Sequence, residues 1–137
     1  MSDPVLDLQA ALLSFLRGQV RLTGWLGDPP RIYDQPPAEV VYPYVTFGRV
    51  TTQSIGGIGA EVTEQTLNLA CVSRFGGTEE AKAMTAALRG LLDGAELSLA
   101  GQRLSSLRVV FVDVFRATDR LTIYGLVRLR AVSEALA

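Results

Sequence analysis

Apolar residues recur at helical spacing in two stretches of the chain, residues 5–16 and 81–92. Because Asp3 and Thr78 precede these stretches and can accept hydrogen bonds from free backbone amides, each stretch is predicted to be a capped helix. Residues 20–26 add a short helical turn. The sequence therefore predicts two amphipathic helices, and some 60 residues of different character separate them.

Strand character follows each helix. Alternation, or a run of β-branched and aromatic residues, marks residues 44–51, 62–74, 104–115 and 121–132. In the second of these stretches, alternate residues from Leu67 to Cys71 are apolar and predict a half-buried strand. In the third, alternate residues from Leu107 to Phe111 are expected to share one face, which Asp113 continues.

Two connections separate these elements. Residues 28–43 hold five of the six prolines, and proline removes a backbone donor, so an extended connector with a short edge strand at 31–33 is predicted. Residues 54–60 form a glycine-rich hairpin loop. A strand follows this loop, which excludes a phosphate-binding loop. A flexible turn is one interpretation, and a mobile contact loop exposing Ile55 and Ile58 is the other.

The order of elements predicts the fold class. Antiparallel hairpins stand on either side of the second helix. We therefore expect an α+β two-layer sandwich, with a mainly antiparallel sheet of four to five strands and two helices on one face. Residues 1–137 are expected to form a single domain.

Composition narrows the chemistry. The chain has no histidine and one cysteine, Cys71, which excludes histidine-based catalytic triads, histidine-ligated zinc and an internal disulfide. With 13 basic and 14 acidic residues it lacks the basic excess typical of nucleic-acid binders. The remaining carboxylates form no catalytic spacing, so no enzyme, cofactor or metal site is predicted. Cys71, on an apolar strand face, is expected to be an inert thiol.

The first residues lack the features of a signal peptide, and no apolar stretch has the length of a membrane span. We therefore expect a protein that is soluble and intracellular at synthesis. Arg128 and Arg130 fall on the polar register of the last strand and are expected to point outward. Asp113 is interpreted as a partner of a nearby arginine, with Arg116 and Arg120 as candidates.

Several phrases of the sequence resemble the tail-completion, or tail-terminator, proteins of siphovirus-type bacteriophages, prophages and gene transfer agents. The resembling phrases are Asp3 to Leu12, Arg31 to Pro37, Pro43 to Gly48, Ser73-Arg74, Glu80 to Lys82, Leu121-Thr122 and Gly125 to Ala131. They span nearly the whole chain in the right order. None is a chemical motif, so the resemblance concerns fold and assembly.

The resemblance implies a structural protein of a virion or phage-like particle, synthesised in the bacterial cytoplasm and placed at the head–tail junction. Members of this family form a hexameric ring that caps the head-proximal end of the tail tube, ends its polymerisation and joins the tail to the head connector. The expected partners are further copies of the chain, the tail tube protein and the connector or stopper protein. DNA would pass through the ring without sequence-specific recognition.

A ring needs complementary lateral patches and two axial faces. The candidate charges between subunits are Arg108, Arg128 and Arg130 on one side and Asp34, Glu61 and Glu64 on the other, with Arg116 and Glu39 as further members. The candidate axial contacts are Ile55, Gly56, Gly57 and Ile58 in one loop and Arg116 and Arg120 in another. The alternative function is a small non-catalytic adaptor that binds another protein through a sheet edge or loop.

Overall fold

The computed structural model describes residues 3–57, 59 and 61–136. Its helices are α1 (Pro4–Arg17), α2 (Val20–Leu26) and α3 (Glu79–Leu92). Its strands are β1 (Ile32–Tyr33), β2 (Tyr44–Ser54), β3 (Val62–Ser73), β4 (Gln102–Arg116) and β5 (Ile123–Ala135). The predicted order of elements is confirmed, and the predicted turn at residues 20–26 is a full short helix.

The cap predicted for α1 is present, whereas the one predicted for α3 is not. Asp3 Oδ1 accepts a hydrogen bond of 2.8 Å from the Val5 amide. Thr78, by contrast, has a helical backbone conformation and makes no side-chain cap bond, because a cap residue needs an extended backbone to turn its side chain toward the amides. Near the start of α3, Glu80 instead accepts a bond of 2.7 Å from the Ser73 hydroxyl.

The strands form one sheet in the order β1-β2-β3-β5-β4. The short β1 runs parallel to β2, and every other neighbouring pair is antiparallel. The hairpins β2–β3 and β4–β5 stand before and after α3 in the chain, as the sequence predicts. The expected α+β fold with a mainly antiparallel sheet is therefore confirmed.

All three helices contribute leucines to a core that lies against one face of the sheet. The strand side chains of this core include Leu67, Leu69, Cys71, Val127 and Leu129, which confirms the predicted register of β3 and β5. Burying such side chains contributes about 1.5–3 kcal/mol each. The opposite face of the sheet carries no layer from the described residues, and we call it the open face.

The sequence-based register of β4 is wrong beyond Val109. The pairing of β4 with β5 shifts between Val109 and Phe111, so one extra residue enters β4 at a β-bulge. A one-residue shift moves every later side chain to the other face. Phe111 and Asp113 consequently lie on the open face, and Val112 and Val114 lie on the helical side.

Candidate interaction surfaces

At one end of the strands the open face carries side chains that we call the aromatic row. Its members are Tyr44, Val72, Tyr124 and Phe115, and each lies opposite the next one on the neighbouring strand. The Phe115 and Tyr124 ring centroids are 5.6 Å apart, and the Tyr42 ring lies 5.5 Å from that of Tyr44. Such tilted pairs favour a fixed arrangement of the rings.

The phenols at this end of the open face lie close enough to influence one another. Burial, followed by the neighbouring phenols of Tyr42 and Tyr124, raises the pKa of Tyr44 above its ordinary value. The Arg74 guanidinium lies 4.7 Å from the centre of the Tyr42 ring, a cation–π contact. Half-buried aromatic rings beside an arginine are the composition typical of protein–protein interfaces.

Two exposed apolar side chains lie beyond the same end of the sheet. Phe75 follows β3 and is 64% exposed, and Leu121 precedes β5 and is 63% exposed. Ser73 at the end of β3 and Ile123 at the start of β5 are paired, so Phe75 and Leu121 lie at the same end of the sheet. Sequence reasoning missed these residues, although an aromatic residue before the Gly76-Gly77 pair is a readable signal.

Two of the predicted arginines are held by groups of their own chain. Arg128 donates from Nε to Asn68 Oδ1 at 3.0 Å, and its guanidinium lies 4.8 Å from the centre of the Phe111 ring. Arg130 forms an ion pair with Glu64 on the neighbouring strand. The structure thus brings together, within one chain, Arg130 and Glu64, which the sequence analysis assigned to opposite sides of a contact between subunits. The assignment of these residues to contacts between subunits stays a prediction.

Arg108 is engaged by a carboxylate that sequence reasoning did not select. Asp93, just after α3, accepts bonds from the Val109 amide at 3.0 Å and from Arg108 Nε at 2.9 Å. The amide bond, followed by the guanidinium bond, lowers the pKa of Asp93. Asp34 follows β1 and Glu61 precedes β3, both exposed and both distant in the sheet from Arg108.

The glycine-rich loop lies at the end of the sheet opposite the aromatic row. Ile55 is 46% exposed, and its amide donates to Val62 O at 2.9 Å, which closes the hairpin. Gly56 and Gly57 follow it, and Ile58 lies outside the described residues. The role of this loop in axial contacts stays a prediction.

The second predicted loop lies beside the aromatic row. Asp119 accepts hydrogen bonds of 2.9 Å from the Leu121 and Thr122 amides. These bonds, the one from Thr122 most strongly, lower the pKa of Asp119. Arg116 and Arg120 are both exposed. Neither pairs with Asp113, which makes no salt bridge within the described part of the chain. The two candidate axial loops therefore lie at opposite ends of the sheet.

A groove separates α3 from the edge strand β4, and we call it the α3–β4 groove. It has a volume of about 580 Å³ and is lined by Lys82, Thr85, Ala86, Arg89, Gly90, Asp93, Val112 and Val114. Sequence reasoning missed it because the bulge at Val109 decides that Val112 and Val114 face the helices. Its walls combine small, apolar and basic groups.

The described residues present no constellation for redox or metal chemistry. Among them, no three or more acidic or cysteine side chains are placed to hold a metal ion. Burial raises the pKa of the Cys71 thiol to about 12, which leaves it protonated at neutral pH. None of the described helices is long and apolar enough to cross a membrane.

The three helices and the mainly antiparallel five-stranded sheet define this molecule as an α+β protein. The family model described as tail completion protein gp17 matches residues 10–134. The chain therefore belongs to the tail completion protein gp17 family, and the resemblance seen in the sequence is confirmed. No curated protein matches the chain.

A solved structure has the same fold. A chain of the "Virion of native gene transfer agent (GTA) particle" superposes with a TM-score of 0.90 and is 24% identical in sequence. The match covers 98% of the present chain and 100% of that chain. The likeness in fold therefore extends over nearly the whole chain.

Proposed function

We propose that the protein is a structural component of a phage-like particle that completes the tail at the head–tail junction. Copies of the chain form a ring, expected to be hexameric, that ends polymerisation of the tail tube and joins the tail to the head connector. The observation that supports this most is the family match over residues 10–134. The similar chain from a gene transfer agent virion supports a place in such a particle.

The geometry is suited to a ring. Head-to-tail contacts around a closed ring need two different lateral surfaces on each subunit. The sheet has two unlike edges, the 15-residue β4 and the two-residue β1 with its connector. The two ends of the sheet also differ, one with exposed Phe75 and Leu121 and the other with the glycine-rich loop. These two ends of the sheet supply the axial contacts to the tail tube protein and to the head connector of the particle.

The proposed role involves no catalysis. Capping a tube and joining two assemblies require complementary surfaces and geometric closure, and the aromatic row, the loops and the edges provide surfaces of this kind. We infer that the arginines of the open face orient contacts, since charge patterning fixes register more than it adds affinity. No cofactor enters this account.

Electron microscopy of particles made without this gene tests the proposal. We expect filled heads without tails beside free tail tubes of uncontrolled length, and complementation with the intact gene to restore normal particles. Normally tailed particles in the deletion strain would contradict the proposal.

An adaptor that binds another protein through a sheet edge is the second candidate. The observation that favours it is the long β4, whose outer edge has no partner strand among the described residues. A gene neighbourhood of portal, capsid and tail tube genes favours the tail role. An unrelated neighbourhood, together with normal particles after deletion, favours the adaptor.

A further inference from the structure

The α3–β4 groove has a charge character that its own chain leaves unbalanced. Lys82 and Arg89 border it, and neither forms a salt bridge with a carboxylate of the described residues. Its one carboxylate, Asp93, is already bound by Arg108 and by the Val109 amide. The groove is therefore basic, and a segment that carries carboxylates fits it.

The floor and rim of the groove suit an extended segment. Val112 and Val114 are only half-buried there, and the helical wall opposite them includes Ala86 and Gly90, which take little room. The outer edge of β4 has no neighbouring strand among the described residues. Its backbone is bound there at Arg103, Leu107 and Val109, by Ser98, Gly94 and Asp93, so the groups open to pairing are those beyond Val109. An extended, acidic and partly apolar segment would satisfy all three features.

The opposite edge of the same molecule carries such a segment. After β1, residues 34–41 run as an irregular connector that contains Pro36 and Pro37. Asp34 and Glu39 are exposed, and neither forms a salt bridge within the described part of the chain. Val41 is 60% exposed. The connector thus offers carboxylates and an apolar side chain on an irregular backbone outside the sheet.

Strand register puts this connector at the height of the groove. Ile32 of β1 is linked to Val114 of β4 through four successive pairs, whose intermediate members are Val45, Cys71 and Gly125. The pairings also make β1 antiparallel to β4. A second copy placed beside the first, without a shift along the strands, would therefore bring its β1 against the free edge of β4 in antiparallel direction, with the start of its connector at the height of the groove.

We propose that the α3–β4 groove is the lateral docking site of the ring, and that its occupant is the connector, residues 34–41, of the next copy of this chain. The inference rests on the proposed ring. Lys82 and Arg89 of one copy face the carboxylates of Asp34 and Glu39 of the next. Because groove and connector lie on opposite edges, the contact repeats from copy to copy, as a closed ring requires.

Cysteine cross-linking in purified particles tests the contact. Ala86 in the groove and Ala38 in the connector are both exposed and small, so A38C/A86C should fold normally. We expect a short bismaleimide to give a ladder of covalent oligomers with this variant, because each groove meets a neighbouring connector. Cys71 is buried and should not contribute.

The matched control is A86C combined with A100C. Ala100 is exposed but precedes β4 at the end of the sheet away from Val114, where it lies near Glu61 and Leu136 rather than beside the groove. We expect no ladder with this pair. Equal ladders from the two variants, or no ladder from A38C/A86C in particles that contain the protein, would overturn the inference.

Charge reversal tests the complementarity independently. In the A38C/A86C background, R89E should lower the yield of cross-linked oligomers about tenfold or more, since like charges brought together at an interface cost several kcal/mol. Adding E39R should restore the yield. E96R, which reverses an exposed charge outside the groove, should leave it unchanged. An R89E ladder of full intensity would contradict the pairing.

The two proposals fail separately. Particles that carry the protein at the junction but give no groove cross-link keep the ring cap and remove this docking site. Particles that lack the protein, together with normal tails after gene deletion, remove both.

Discussion

At the scale of single residues, the packing between α3 and the sheet depends on one position without a side chain. A Cβ built on Gly125 would lie 2.5 Å from Cγ2 of Thr85 and 3.3 Å from the carbonyl oxygen of Ala81. Real Cβ contacts do not reach the first of these distances, so either the buried Thr85 side chain would have to rotate or α3 would have to move away from β5. The glycine therefore sets how closely this helix approaches the sheet.

The first prediction concerns this close approach. G125A should lower the free energy of unfolding by about 1–3 kcal/mol, the usual cost of overpacking a core. G24A is the matched control, because a Cβ on Gly24 meets nothing within 4 Å and alanine favours the α2 helix. Denaturant unfolding of both variants measures the difference. Equal stability of G125A and the parent protein would refute the account of α3 packing.

A second prediction concerns acid. The folded pKa of Asp119 lies below its ordinary value because backbone amides bind the ionised carboxylate. Its stabilisation is therefore complete above the unfolded pKa, about 3.9, and is lost as the pH falls through the lowered folded value. D119N, which does not titrate, should show a smaller loss of stability between neutral and acidic pH. Denaturant midpoints measured across that range test this, and an unchanged pH dependence would contradict it.

At the scale of elements, the sequence predicts what depends on local spacing. The α1 stripe, the buried alternation of β3 and the proline-rich connector all follow from residue type and period. The β4 bulge could not be predicted, since the run from Leu107 to Val114 alternates plausibly in either register. The aromatic row and the α3–β4 groove could not be predicted either, because both depend on how segments that are distant in the sequence pack and pair in the fold.

The third prediction tests the cap of α1. D3A should lower the free energy of unfolding by about 1 kcal/mol, because the Val5 amide loses its acceptor. Ser14 is exposed in the same helix, so S14A should leave the free energy of unfolding almost unchanged or raise it slightly. Thermal and denaturant unfolding of the two variants give the comparison. A destabilisation of the same size in both would show that the cap bond is not the cause.

At the scale of the whole molecule, the helices lie on one face of the sheet, and no layer of the described residues covers the other face. Arg128 lies near the middle of that open face, held by Asn68 and the Phe111 ring. R128E should therefore impair incorporation of the protein into particles while leaving its fold intact, because the new carboxylate would repel acidic groups of a neighbouring surface. R128K, which keeps the charge, is the control. Normal incorporation of R128E would remove the open-face arginine from the account.

We propose that this domain closes the tail at the head–tail junction as a ring. A symmetry-resolved electron cryo-microscopy reconstruction of that junction would show the ring itself. We expect one closed ring of this fold between the last tube ring and the head connector, with residues 34–41 of each copy in the α3–β4 groove of the next. Density for this fold elsewhere in the particle, or none at the junction, would contradict it.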